Sequence, residues 1–489
     1  MSTRYKGSVM SATQATSSAT AASGIWKQTE VTQLFNSWPN ANVDTNWTSV
    51  SMLLHGDGTN GAQNNTFIDS SSNNFSITRN GSATQGAVNP FGSVAPYTTN
   101  GDGGSAYFSG SADYLSLASN SAFNFGSNNF TVEFWIQTSQ TTSNATLVNR
   151  EWGSSPYTGG WTIQLNGSAS AAMSIFWADF STSTAFMVAS TTSYRDNAWH
   201  HVAWVRNGSS FVLYLDGVSV ATATNATAFG SNANQLTIAN DQTFGAGART
   251  YAGNISNLRI VNGTAVYTSA FTPPTAPLTA ITNTSLLLSN TNAGIIDNAM
   301  QNNLVTVGTS QISTVVFKYG GGSIAFSGTG AWLTAADRTS LQLGTGSFTI
   351  EGWVYVNVIG VAYSIVSKGG ATTGWGVNIT SGNKLQFVYT STNTAIGATS
   401  LVANTWYYFA VVRSGSGTGN LKMYLNGTVD FTSAGAVTDN FNQTNICYVG
   451  ASRIATTPLN GYIDDLRITK GIARYTADFI VPGLALPNQ

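Results

Sequence analysis

The sequence is 489 residues long and carries a formal net charge of −1 from 19 basic and 20 acidic residues. That length exceeds what one hydrophobic core serves, so about two or three domains are expected, and the even charge balance lacks the basic stripe that nucleic-acid binding leaves. Only 8% of residues are charged while 11% are aromatic; the aromatics exclude disorder, no apolar run nears the ~20 residues of a membrane span, and the polar, weakly charged surface suits sugars or protein neighbours.

Residues 1–47 resemble nothing later in the chain. Met1 to Gly7 brings positive charge with no apolar core behind it, so a secretory signal is not expected. Ser8 to Ser23 is rich in Ser, Ala and Thr and has little to bury. Val31, Leu34, Phe35 and Trp38 then recur at helical spacing, with Thr29 placed to cap the turn and Pro39 to stop it. So short a helix cannot fold alone. It needs a surface, either its own neighbouring domain or another protein, and Ile25, Trp26, Leu34, Phe35 and Trp38 are the anchor residues.

From residue 48 the pattern changes to short alternating runs. Phe130, Val132, Phe134 and Ile136 share one face of a strand and Thr131, Glu133 and Trp135 the other. The run Phe211 to Leu215 ends on Asp216-Gly217, a hairpin turn signal. No long helical period interrupts these strands, which points to a sandwich or barrel. Pro273, Pro274 and Pro277 then break any regular element.

The pattern repeats at an offset of about 210 residues. Phe130 to Trp135 returns as Phe348 to Trp353, and Trp199 to Arg206 as Trp406 to Arg413. Leu213 to Gly217 returns as Met423 to Gly427, and Gly263 to Tyr267 as Gly471 to Tyr475. Each copy opens on an apolar run, Met52-Leu53-Leu54 and Leu286-Leu287-Leu288. The expected layout is an anchor over 1–47 and sandwiches over 48–280 and 281–489. The single cysteine, Cys447, permits no intrachain disulfide and sits in a strand-like run as a buried, inert thiol.

Tyr107-Phe108-Ser109-Gly110, Phe130 to Trp135, Trp199 to Ala203, Leu213 to Gly217 and Ile255 to Ile260, with their second copies ending in Gly461 to Ile468, resemble the laminin-G-like domains of the concanavalin-A-like superfamily. The resemblance implies an all-β chain of two tandem antiparallel jelly-roll sandwiches. Members are glycan-binding, adhesive or virion surface modules, and a minority are glycanases. The head, from Arg4-Tyr5-Lys6-Gly7 through Gly24-Ile25-Trp26 to Trp38-Pro39, resembles the opening of structural proteins of marine cyanobacterial phages.

Glycosidases need two carboxylates about 5–9.5 Å apart. Laminarinase-type relatives place theirs as Glu-x-Asp-x-x-Glu on one strand, whereas Glu133 and Glu351 each stand alone on theirs. No catalytic residue is assigned, and each of the two Glu is read as a structural carboxylate. Adjacent His200 and His201 point to opposite faces of a strand and cannot chelate one metal together. Relatives often hold one structural calcium between the first and last strands. Its candidates are Asp57 and Asn257 in the first copy and Asp464 and Asp465 in the second, with turns held by hydrogen bonds alone as the alternative. Sugar stacking would use Trp152, Tyr157, Trp161 and Trp177, or Trp375 and Tyr389, with core packing the alternative for most of them.

The expectation is therefore a non-enzymatic phage virion surface protein, a capsid decoration, fibre or tail appendage. It would assemble in the host cytoplasm, anchor through residues 1–47 to another virion protein, and display its sandwiches to host-surface glycans as a homo-oligomer, a trimer by analogy with other appendages. A glycan-binding bacterial adhesin and a polysaccharide depolymerase are the rivals; the missing signal counts against the first and the missing carboxylate pair against the second.

Overall fold

A computed structural model describes residues 44, 46–54, 61–69, 73, 76–86, 88, 90–91, 104–141, 144–150, 160–165, 173–178, 184–188, 194–231, 233–241, 249–289, 304–370, 373–389 and 394–487. Among these residues there is no α-helix. The regular structure is antiparallel strand with short 3-10 turns, as the two-residue alternation and absent helical period require.

Four sheets make two sandwiches. In the first, one sheet runs in the order Val218–Thr224, Ser210–Leu215, Trp199–Asn207, Phe130–Gln137, Ala252–Asn262, Thr284–Ser289, Ile68–Asp69. It faces a seven-stranded sheet ordered Thr184–Val188, Met173–Ala178, Trp161–Leu165, Ala145–Arg150, Leu236–Ile238, Tyr114–Leu117, Ile77–Asn80. The second sandwich repeats the plan around Phe348–Val356, Trp406–Arg413 and Asn460–Lys470 in one sheet and Tyr363–Gly369, Gly374–Ile379 and Lys384–Val388 in the other. Each has its own apolar interior. Phe130, Val132, Trp204 and Ile260 belong to one, and Phe348, Ile350, Phe409 and Ile468 to the other. Cys447 lies in the second interior, where burial pushes its thiol up to about 12.

The strands do not follow the linear order of the repeats. Val50–Leu54, which opens the first repeat, pairs with Asn460–Lys470, the last strand of the second. Thr284–Ser289, which opens the second repeat, pairs with Ala252–Asn262, the last strand of the first. The registers correspond: Leu53 lies opposite Arg467 as Leu287 lies opposite Arg259. Met52 and Leu54 accordingly fill the second core, and Leu286 and Leu288 the first. Each repeat is completed by the other's opening strand.

A bulge in each last strand makes this possible. Asn257 and Asp465 sit in the bulges at φ +53° and +51°, a backbone region that Asn and Asp tolerate better than other side chains. Beyond the bulge the strand edge changes partner. Ala252 to Ile255 pairs with Ser105–Ser109, and Arg259 to Val261 with Thr284–Ser289. The crossing is pinned by backbone bonds between Gly61-Ala62 and Ile312, and by Asn64 Nδ2 and Thr84 Oγ1, which both donate to the Leu304 carbonyl at 3.1 and 2.8 Å.

After its last strand each repeat folds back across the outside of the sheet. Phe271 N–H donates to Gly217 O and Phe479 N–H to Gly427 O. A side chain on either glycine would strike the carbonyl oxygen of the same Phe, which explains Gly at both hairpin turns. The return segments stack Tyr267 on Phe271 and Tyr475 on Phe479, with ring centroids 3.6 and 3.5 Å apart.

Candidate functional site

The lone carboxylates lie beneath these return segments. Glu133 is fully buried, with Arg259 Nη2 2.5 Å away, the Tyr267 hydroxyl donating at 2.7 Å and His201 Nε2 at 3.4 Å. Burial would raise its carboxyl, but His201, Arg259 and Tyr267 together outweigh that and hold it below the usual range. Glu351 repeats the arrangement with Arg467 at 2.8 Å and hydroxyls from Tyr408 and Tyr475 at 2.5 and 2.7 Å. In both copies the carboxylate is enclosed and saturated, so it is a structural anchor for the return segment and has no access to a substrate. His200, on the opposite strand face, binds Asp216 and Asp196 at 2.8 and 3.1 Å, and the Asp216 bond is the main cause raising its pKa.

The calcium candidates are engaged differently. Asn257 Oδ1 accepts the Leu278 N–H at 2.7 Å, and Asp465 Oδ2 accepts the Leu486 N–H at 2.9 Å. Asp464 Oδ2 accepts the N–H groups of Lys318 and Tyr319. Asp57 lies outside the described residues. The described members thus aim oxygens at backbone donors, and among described residues no three His, Cys, Asp or Glu gather as a cation set. These bonds are of the kind the hydrogen-bonded alternative calls for.

Of the stacking candidates, Trp161 and Trp375 have no exposed surface. Trp161 packs on Phe125 and Trp204 between the sheets, with centroids 5.4 and 5.7 Å away, and Trp375 lies in the second core, so neither can meet a sugar. Tyr389 is partly buried and packs on Phe387 and Phe441. Trp177 belongs to the strand Met173–Ala178. Trp152, Tyr157 and the anchor residues Ile25, Trp26, Leu34, Phe35 and Trp38 lie outside the described residues.

The structure instead forms a polar cleft of about 670 Å³ where the sandwiches meet. Its floor is a row of cross-strand neighbours, Gln137, Asn254 and Tyr107. Gln140 and Asn197 flank the row, and Arg338 reaches in from the second sandwich. The amides are already aimed. Asn254 Nδ2 donates to Gln137 Oε1 at 3.2 Å, Gln137 Nε2 to Asn197 O at 3.1 Å, and Gln140 Nε2 to Thr250 O at 2.8 Å. The Tyr107 hydroxyl and the exposed Arg338 guanidinium have no hydrogen-bond partner among the described residues. Burial raises the Tyr107 pKa against the pull of Arg338, so the phenol stays protonated and can donate. No carboxylate lines the cleft among the described residues. Fixed amides, a phenol ring and one guanidinium are groups that can bind a polyol. Composition gave no hint of these residues, but the repeat alignment carried a signal. Gln137 and Asn254 occupy outward positions where the second copy has Tyr355 and Tyr462.

A family model described as the concanavalin A-like lectin/glucanases superfamily matches residues 109–279 and 327–473. Comparison with curated proteins gives no match. Among solved structures, domains LG4-5 of the mouse laminin alpha1 chain align at 12% identity over 71% of this chain and 87% of that one, with a TM-score of 0.26. The LG1-3 region of the laminin alpha2 chain aligns at 12% over 77% and 62%, with a TM-score of 0.35. Domain 4 of an extracellular arabinanase from Geobacillus stearothermophilus, solved with arabinotriose, aligns at 16% over 35% and 84%, with a TM-score of 0.28. The two matched ranges cover more than half of the chain, one in each repeat, and the chain belongs to the concanavalin A-like lectin/glucanases superfamily.

Proposed function

We propose that the chain is a non-enzymatic glycan-binding protein of a phage virion surface, with the cleft between its sandwiches as the sugar site. One observation carries the binding part: a wide cleft lined by pre-aimed amides, a phenol and a guanidinium, with Glu133 and Glu351 both sealed away from it. In such a site Tyr107 packs against a sugar face, Gln137, Gln140 and Asn197 meet hydroxyls, and Arg338 favours a ring carrying an acidic substituent. The virion part rests on the phage-like head. Residues 1–47 tether the protein to another particle component, and copies assemble around a symmetry axis.

A glycan array with the full chain tests the site. Retained signals that fall about tenfold or more in R338A and Y107A support it, and array signals indifferent to both substitutions refute it. Release of reducing sugar from any bound polysaccharide would replace a binder with a depolymerase. The tether is tested by incorporation into particles after deletion of residues 1–43; undiminished incorporation ends that part of the reading.

A further inference from the structure

We infer a second, neutral-sugar site on the second sandwich, formed by Trp406, Tyr355 and Tyr462. It rests on the glycan-binding reading and extends it to a surface with different chemistry. The three residues are direct cross-strand partners: Tyr355 lies opposite Trp406 on one side and Tyr462 on the other. Their ring centroids are 5.4 and 5.6 Å apart, so the rings form a continuous stripe across three strands. All three are half-buried, with ring surface open to solvent. The return segment covers the neighbouring part of this sheet with Tyr475, Phe479 and Val481; Trp406 packs at the edge of that cluster, and Tyr355 and Tyr462 lie outside it.

The first repeat supplies the comparison. The positions matching Trp406, Tyr355 and Tyr462 are Trp199, Gln137 and Asn254, again in direct register. One row of the fold therefore forms the polar cleft in one sandwich and an aromatic stripe in the other. Aromatic side chains at two outward positions cost solubility without adding to either core, and that cost needs a ligand to account for it.

The surroundings select the ligand. Amides border the stripe: Asn357 Nδ2 donates to Asn460 Oδ1 at 2.9 Å, and the Tyr355 hydroxyl to Asn404 Oδ1 at 3.4 Å. No charged side chain takes part in these contacts. Nucleic acid would need cations, and an acidic sugar is better matched by the cleft with its Arg338 guanidinium. A neutral hexopyranose chain meets both halves of the site, C–H faces on the rings and hydroxyls on the amides.

The test titrates the full chain with cellohexaose, laminarihexaose and mannohexaose, followed by calorimetry and tryptophan fluorescence. At least one should bind, with affinity lowered about tenfold or more in W406A and Y462A and retained in W406F and Y462F, which keep a ring. R338A should leave this binding unchanged. Thermal melts identify any variant that fails to fold, and Y462A then carries the test for W406A. Equal affinity in wild type and Y462A overturns the stripe, as does loss of binding in R338A alone, and either leaves the cleft standing. A wild-type chain that binds none of the three also overturns the stripe; the cleft is then judged by its own array result.

Discussion

Asp44 and Arg467, 423 residues apart, form an ion pair at 2.9 Å that ties the start of the described chain to the last strand of the second sandwich. Asp44 also takes Arg474 at 2.7 Å, and Arg467 also takes Glu351 at 2.8 Å. The charges explain the arrangement. In the first repeat Glu133 faces Arg259, one charge of each sign, and the position matching Arg474 is Val266. The second repeat adds the Arg474 cation, and Asp44 supplies the anion that balances it. D44A leaves two guanidinium groups sharing Glu351, at a cost of about 3–5 kcal/mol. D44A/R474V, which restores the one-to-one pairing of the first repeat, should recover most of that loss in urea melts. A truncation beginning at 48, which removes Asp44, should destabilise the second sandwich.

The same pair gives an acid signature. Burial works to raise the Asp44 carboxyl, but Arg474, the Asn46 N–H and Arg467 prevail and hold it below its usual 3.8. A depressed folded pKa stabilises the fold above the unfolded value and loses that contribution as pH falls through the folded one. The stability gap between wild type and D44A should be constant from pH 7 to about 5 and close below about 4. A gap that persists in strong acid would mean that Asp44 acts through packing instead of charge.

The two Glu anchors should respond unequally to loss of a tyrosine hydroxyl. Glu133 Oε2 receives one hydroxyl, from Tyr267, whereas Glu351 Oε2 receives two, from Tyr408 and Tyr475. Y267F removes that hydroxyl donor from an oxygen in a fully enclosed site and should cost about 1–3 kcal/mol. Y475F leaves Tyr408 in place and should cost roughly half as much. Equal losses in denaturant melts would contradict this division of labour.

Trp161 separates core from binding surface. Its indole is enclosed by Phe125 and Trp204, and its Nε1–H has no hydrogen-bond partner among the described residues. W161A should cost about 3–5 kcal/mol through the cavity it opens. W161F, which deletes an unpaired donor while keeping a ring, should cost far less. W161F should bind array glycans as wild type does; a selective loss of binding would return Trp161 to the sugar site.

The residues that carried the fold reading were those whose neighbours in sequence decide their role. Phe130 to Ile136 alternate because a sheet covers one face, and Asp216-Gly217 and Asn426-Gly427 turn hairpins because glycine accepts φ near +80°. The exchange of opening strands was not legible, because Met52-Leu53-Leu54 and Leu286-Leu287-Leu288 are chemically interchangeable and only chain geometry decides which edge each fills. Two of the stacking candidates, Trp161 and Trp375, misled for a related reason. A tryptophan on a strand looks the same whether its face is inward, as for Trp161 and Trp375, or outward, as for Trp406. Tyr107, Gln137, Asn254 and Arg338 line one cleft only when two sandwiches meet, which no local pattern encodes.

The bulge residues give a direct contrast between a structural and a metal-binding role. Asn257 and Asp465 hold the same φ and accept the same kind of backbone N–H, from Leu278 and Leu486, residues equally spaced from their bulges. Nature has therefore placed a neutral amide and a carboxylate in one role, and an oxygen acceptor that tolerates positive φ is what the role needs. D465N keeps both properties and should leave stability within about 0.5 kcal/mol of wild type. D465A loses the acceptor and strains the backbone, at about 2 kcal/mol or more. Melts with calcium and with chelator should coincide for wild type and D465N alike. A Tm that rises with calcium in wild type but not in D465N would show that the carboxylate holds a cation, and the hydrogen-bonded account of the bulge would fall.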